Sequence, residues 1–200
     1  MIRCLIAALI RLATGLRPQA VPQGFDGPFI WYANHSSHLD FIALWSVLPD
    51  AWRTRTSPVA AKDYWSRGPL RRKVAVGFFR GVLIPRSGRP GREENPLALM
   101  SEVLAQGRSL LVFPEGTRGT GDGVAGFRPG IYHLARRFPQ IPLVPVRLEN
   151  LNRILPKGVF LPLPLIARVA FHEPIFLADG EDKEAFLQRA RMALIQPHGH

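Results

Sequence analysis

In the segment NHSSHLD, Asn34 to Asp40, two histidines, two serines and an aspartate crowd together just after the apolar run from Phe29 to Ala33. A histidine that shares one ring nitrogen with a carboxylate keeps the other as a base able to work near neutral pH. His35 and Asp40 are five positions apart. On a continuous helix that separation turns them by about 140°, too far round for contact. The pair meets if His35 stands in a loop and Asp40 opens the following helix, where the helix dipole also favours a carboxylate. His38 is the competing base. Ser36 and Ser37 suit helix capping better than nucleophilic attack. A metal site built from His35, His38 and Asp40 lacks a supporting second cluster, and the isolated His133 and His172 read as structural, so no metal is expected.

A second segment, FPEGTR from Phe113 to Arg118, joins residues suited to an anionic ligand. Gly116 lets the backbone approach a bound molecule closely. Thr117 offers a hydroxyl, and Arg118 a planar fork matched to phosphate. Glu115 suits either a substrate hydroxyl or a bond to Arg118. The Gly-x4-Gly-Lys pattern of a nucleotide-binding loop is absent. Arg86, at the end of GVLIP, and Lys62, at the end of PVAAK, are further cations that reach an anion if their strands lie nearby; each alone also fits a solvated surface.

These groups need a scaffold that brings distant loops together. FIWYAN, PVAAK, GVLIP, SLLVF, IPLVPVRL and ARVAFHEPI read as strands, short, β-branched and apolar. Helical patterns lie between them. LDFIALWSVLP stops at Pro49, and DYWSRGPLRRKVAVGFF reads as a helix or broken helix. The next helix has Asn95 as its cap, Pro96 in its first turn and Gly107 at its end. IYHLARRF and DKEAFLQRARMALI complete the set. Alternation of this kind predicts an α/β fold, a single domain with a mostly parallel or mixed sheet flanked by helices. RPQAVPQGFDGP and the proline-rich LPKGVFLPLPL, Leu155 to Leu165, read as loops, the second as a buried loop or a lipid-touching patch. Ligands of such sheets sit outside the carboxyl ends of the strands. NHSSHLD, PR and PEGTR each follow a strand.

The 200 residues fit one domain, and the formal charge of +11 implies an anionic partner: nucleic acid, a phospholipid surface or a phosphorylated small molecule. The basic residues are scattered, densest at Arg67 to Lys73, and no nucleic-acid motif accompanies them, so no nucleic-acid partner is expected. Cys4 is the one cysteine, which excludes an intrachain disulfide. At the N-terminus Ile2, Leu5, Ile6, Leu9, Ile10 and Ala13 share one helical face, giving an amphipathic helix. At about 21 Å it falls short of the roughly 30 Å hydrocarbon core. It either lies in a membrane interface with its arginines at the headgroups or docks on the core. Arg11 interrupts the apolar region, so a signal peptide is not expected.

Taken together, these blocks resemble the glycerolipid acyltransferase family, best known through the lysophosphatidic acid acyltransferases. The family's His-x4-Asp block has its counterpart in Asn34, His35 and Asp40, with the block's serine at Ser36 or Ser37. A second block ends in arginine, here RGVLIPR with Arg86. The third, Phe-Pro-Glu-Gly-Thr-Arg, is unbroken at Phe113 to Arg118. The fourth is apolar and proline-containing, here IPLVPV from Ile141 to Val146, and FRPGIYHLA resembles the segment that precedes it. Two positions depart from the pattern: Arg80 stands where the family has glycine, and Pro85 where it often has aspartate.

The resemblance implies acyl transfer from acyl-CoA or acyl carrier protein to the free hydroxyl of a lysophospholipid. Lysophosphatidic acid, giving phosphatidic acid, is the leading acceptor. Another lysolipid such as lyso-ornithine lipid, or non-catalytic lipid binding, are the alternatives. His35 is then the general base and Asp40 its orienting partner. Arg118 and Arg86, with Lys62, hold the acceptor phosphate, while Glu115, Gly116 and Thr117 shape the glycerol site. No cofactor is implied beyond the thioester donor. The organisation expected is an interfacial helix and linker over 1–20 and an acyltransferase domain over 21–200. The location expected is peripheral or monotopic on the cytoplasmic face of a membrane, against its phospholipid surface.

Overall fold

Successive residues of strand β2, Ile30–Ala33, point into two different apolar cores, and all four are buried. Phe29, Trp31 and Ala33 pack with Ala43, Leu44 and Val47 on one side of a sheet. Ile30 and Tyr32 pack with Leu134, Phe186 and Ala190 on the other. A strand covered on both faces has no polar side to show, which is why FIWYA reads as one continuous apolar run. Removing the Trp31 side chain from this interior would cost about 3–5 kcal/mol.

The computed structural model describes residues 2–19, 21, 27–37, 39–66, 68–85, 95–119, 123–151 and 167–196. Its seven strands form one mixed sheet. They are β1 Arg17–Gln19, β2, β3 Thr56–Ala61, β4 Val82–Ile84, β5 Ser109–Val112, β6 Leu143–Glu149 and β7 Arg168–Phe171, in the spatial order β1-β7-β6-β2-β5-β3-β4. The five strands from β6 to β4 are parallel. β7 runs antiparallel to β6, and β1 parallel to β7. The α/β class and the mixed sheet expected from the alternating pattern are therefore present. The chain leaves β2 for β3 on one side and β5 for β6 on the other. The crevice between the carboxyl ends of β2 and β5 is thus the switch point at which such sheets bind ligands.

Helices cover both faces. α1 (Ile2–Thr14), α2 (Asp40–Val47) and α3 (Asp50–Arg53) lie on the Trp31 side. α6 (Pro96–Ala105), α7 (Gly130–Arg137) and α8 (Lys183–Ile195) lie on the Tyr32 side. Between β3 and β4 the chain forms α4 (Lys62–Trp65), α5 (Pro69–Arg72) and a π-helical turn, Lys73–Phe78. Asn95 caps α6 as its sequence predicts, accepting from the Leu97 N–H at 2.9 Å. Asp182 caps α8 in the same way.

Two expectations need correction. The stretch read as a loop from Arg17 holds strand β1, and all three of its residues are exposed. An edge strand bonds on one side only, so it tolerates Pro18 and leaves no burial periodicity to read. The arginines of α1 are not outward. Arg3, Ile6, Ala7, Ile10, Arg11 and Thr14 form the side that is wholly or partly buried, while Ile2, Leu5, Leu9 and Leu12 are exposed. Arg3 donates to the Phe78 carbonyl at 2.8 Å, satisfying an end of the π-helical turn, and its guanidinium lies over the Phe78 ring. The sequence stripe is thus divided, its inner edge packed and its outer edge open. Leu155 to Leu165 lies outside the described residues, and among those described no helix is long and apolar enough to cross a membrane.

Candidate active site

β2 ends at a side chain that imitates backbone. Asn34 donates through Nδ2 to the Leu148 carbonyl at 2.9 Å, and its Oδ1 accepts from the Leu148 N–H at 2.8 Å. This double bond to β6 anchors the chain one residue beyond the strand and turns it into the loop that carries His35.

His35 lies in that loop and Asp40 is the first residue of α2, the arrangement the spacing requires. Nδ1 of His35 stands 2.9 Å from Oδ2 of Asp40, with the His35 side chain 20% exposed and that of Asp40 fully buried. The same Oδ2 accepts the Ser36 N–H at 2.5 Å and the Ser37 N–H at 2.7 Å. A carboxylate oxygen with two amide donors can only accept from the ring. In the neutral imidazole Nδ1 therefore carries the hydrogen, and Nε2 holds the lone pair. The serines contribute backbone N–H groups to the carboxylate. Ser37 Oγ accepts from the Leu39 N–H at 3.2 Å, and Leu39, the residue at the helix N-cap, has no side-chain cap. The capping role expected of the serine hydroxyls is thus confined to a local turn, because Asp40 closes the loop from the other end. His38 lies outside the described residues; among those described, no group of three acidic, histidine or cysteine residues could hold a metal ion.

The sheet order places FPEGTR beside this loop, since β5 is the neighbour of β2. Phe113 stacks on the His35 ring, with centroids 4.3 Å apart and planes 22° from parallel. Glu115 is 5% exposed and both its oxygens accept from backbone. Oε1 takes the His35 N–H at 2.8 Å and Oε2 the Ala125 N–H at 2.9 Å. The Gly119 N–H donates to the His35 carbonyl at 2.8 Å. His35 is thus held at its backbone from both sides, at its ring face by Phe113 and at its ring edge by Asp40. Glu115 serves as an internal brace here, with a backbone N–H group on each carboxylate oxygen. Arg191 of α8 extends the brace by donating two bonds to the Val124 carbonyl, at 3.0 and 2.7 Å.

Gly116 adopts φ +73°, in the left-handed region, and a Cβ there would run into Nε of Arg128 and lie 2.7 Å from its Cδ. Thr117 and Arg118 are exposed on the following residues. Lys62 begins α4 at the end of β3, the strand next to β5, and is exposed. Arg86 lies outside the described residues; β4, which leads toward it, flanks β3. The carboxyl edge of the sheet therefore presents, in order, the His35 loop, the Gly116 turn and Lys62. Phe113, Asn34 and Arg128 had no individual role assigned from sequence. A phenylalanine directly after a buried strand and an arginine ahead of a Pro-Gly helix start are the only local signals of the first and last.

The acyltransferase family model matches residues 16–149. The mouse 1-acyl-sn-glycerol-3-phosphate acyltransferase alpha is 31% identical over 127 residues, 62% of this chain and 41% of the mouse protein. The yeast (Saccharomyces cerevisiae) 1-acyl-sn-glycerol-3-phosphate acyltransferase is 31% identical over 150 residues, 71% of this chain and 46% of that protein. The chain thus spans less than half the length of these curated relatives. The crystal structure of the 1-acyl-sn-glycerophosphate (LPA) acyltransferase PlsC from Thermotoga maritima shares the fold, with a TM-score of 0.74 and 20% identity over 96% of this chain and 76% of that one. With the matched region running from the end of α1 through β6 and enclosing both the His35–Asp40 pair and the Phe113–Arg118 segment, the chain belongs to the acyltransferase family.

Proposed function

We propose that this chain transfers an acyl group from a thioester, acyl-CoA or acyl carrier protein, to the free hydroxyl of lysophosphatidic acid, giving phosphatidic acid. The observation that carries the reading is the His35–Asp40 pair, oriented to leave Nε2 as the available base and set beside an exposed Thr117–Arg118 segment. The names of the relatives support the acceptor.

An alcohol is a weak nucleophile near neutral pH, so its proton must leave as attack proceeds. His35 Nε2 takes that proton while the hydroxyl oxygen bonds to the thioester carbonyl carbon. Asp40 stabilises the imidazolium through Nδ1–H. The tetrahedral intermediate then collapses, the carbon–sulfur bond breaks, and the imidazolium returns the proton to the thiolate leaving group. Oxygen replaces sulfur on the acyl carbon and no redox change occurs. The thioester is already activated, so no enzyme nucleophile is needed, and holding both substrates in register supplies much of the rate. Arg118, Lys62 and Arg86 hold the acceptor phosphate, and Gly116 and Thr117 border the glycerol.

The unit that does this is residues 21–200 together with strand β1, which belongs to its sheet, and α1 brings it to a phospholipid surface. Ile2, Leu5, Leu9 and Leu12 of α1 are exposed, as are Leu70, Val74 and Val76 of the segment that Arg3 touches through Phe78. With Arg71, Arg72 and Lys73 exposed among them and a formal charge of +11, this surface suits anionic lipid on the cytoplasmic face.

The test is acyl transfer in detergent micelles from acyl-CoA and acyl carrier protein donors to lysophosphatidic acid, with His35→Ala alongside. Turnover by the parent and its loss in the folded variant is the expected result. No turnover with any donor or lysolipid, despite retained lysolipid binding, would leave a non-catalytic lipid-binding protein instead.

A further inference from the structure

The guanidinium of Arg128 is placed unlike the other arginines tied to the protein body. Arg53 donates to the carbonyls of Trp45, Ser46 and Leu48. Arg189 pairs with Glu181, Arg191 bonds the Val124 carbonyl, and Arg3 bonds that of Phe78. Each is a fastening. Arg128 is fastened too, but by its backbone and stem. Its N–H donates to the Pro114 carbonyl at 2.8 Å, and its Cδ and Nε lie flat against Gly116. Among the described residues its guanidinium meets no hydrogen-bond or ion-pair partner, and the residue is exposed.

A side chain with five donors, packed by its stem on the turn that leads into Arg118 and with its head unpaired, is preorganised for an anion. The glycine is part of the device. A side chain at 116 would displace the arginine, so the left-handed turn and the arginine seat are one feature. Glu115, the acidic residue of that turn, accepts from two backbone N–H groups, and among the described residues no ion pair joins it to Arg128. A phosphate monoester carries close to two charges near pH 7 and three acceptor oxygens, more than one guanidinium satisfies.

From this geometry we propose that Arg128 is a further phosphate-binding residue for the acyl acceptor, gripping the phosphomonoester from the Gly116 side while Arg118 grips it from the other. The assignment rests on the acyltransfer reading for the identity of the acceptor, and on the Gly116 seat for the site itself.

Two variants separate binding from packing. Arg128→Met keeps a stem to lie on Gly116 and removes the donors, and Arg128→Lys keeps the charge without the fork. Equilibrium binding of lysophosphatidic acid in detergent micelles should weaken roughly tenfold or more in Arg128→Met and less in Arg128→Lys, as expected for a lost charge-assisted contact. Binding of monoacylglycerol, which lacks the phosphate, should not change, and neither should thermal melting. In steady state the rise should fall on KM for lysophosphatidic acid, with KM for acyl-CoA within about twofold. Equal lysophosphatidic acid affinity in parent and Arg128→Met would overturn the proposal. So would an equal loss for both lipids, which marks a packing role, or a rise confined to KM for acyl-CoA, which moves Arg128 to the donor phosphates. Phosphate-dependent binding by a parent protein that transfers no acyl group would sink the catalytic reading and leave the Arg128 site standing. A parent that binds no lysophosphatidic acid overturns both.

Discussion

Around His35 nearly every polar backbone group is committed inside the protein, whereas across the Gly116 turn Thr117, Arg118 and Arg128 stand exposed. The two sides meet within a few residues, and the proposed reaction gives them different tasks. The proposed base, His35, must be oriented to a fraction of an ångström, and Asp40, Glu115, Phe113 and the Gly119 N–H surround it. A phosphate is recognised by charge and by several donors, and exposed side chains can follow it. Disturbing the first side should therefore change kcat, and disturbing the second should change KM for the acceptor.

Asp40→Asn tests that contrast most severely. It keeps the shape but removes the charge that stabilises the imidazolium, whether the amide oxygen stays on the Ser36 and Ser37 N–H groups or turns away so that the amide donates to Nδ1. A fall in kcat on the order of 10³–10⁴-fold, with circular dichroism unchanged, is expected. A variant with parental kcat would remove His35 from the role of base. Glu115→Ala comes next. It removes the hydrogen-bond partner of the part-buried N–H groups of His35 and Ala125, at about 0.5–1.5 kcal/mol each by urea denaturation. Its activity loss should again fall on kcat; a change confined to acceptor KM would mean that Glu115 belongs to the binding side.

Arg118→Ala probes that other side. A rise of roughly tenfold in KM for lysophosphatidic acid, with KM for the donor little changed, is the expected signature. Equal effects on both substrates would break the division. The smallest effect concerns neither side directly. Arg80 has φ +54°, a conformation glycine adopts freely, and it stands where the family pattern has glycine. Arg80→Gly should raise stability by up to about 1 kcal/mol, seen as a higher Tm, while leaving kcat untouched. A lower Tm would show that contacts of the Arg80 side chain outweigh the backbone relief.

Much of the His35 side was legible in the chain because it is local. His35 and Asp40 are five residues apart, and a loop running into a helix start brings them together whatever surrounds it. The strands were legible for a similar reason: burial on both faces writes itself as an unbroken apolar run, as at Phe29 to Ala33. β1 was not, because an exposed three-residue edge strand leaves no such trace. The outward face of α1 was read only in part, since six apolar residues on one stripe do not say which edge of it packs.

What the chain determined by itself was the chemistry available: a histidine with its carboxylate, a glycine turn with arginines, a basic surface. Which of these groups meet was decided by the sheet. Glu115 reaches the backbone of His35 across 80 positions only because β5 pairs with β2, and the ring of Phe113 covers His35 for the same reason. Strand order follows from burying two apolar faces at once over the whole molecule, a global balance that no local window contains. Arg128 shows the same limit. Ten residues beyond Arg118, it returns to the Gly116 turn because the loop closes on Pro114 and Glu115. Side chains set what can be done at each point, and long-range packing sets which points come within reach.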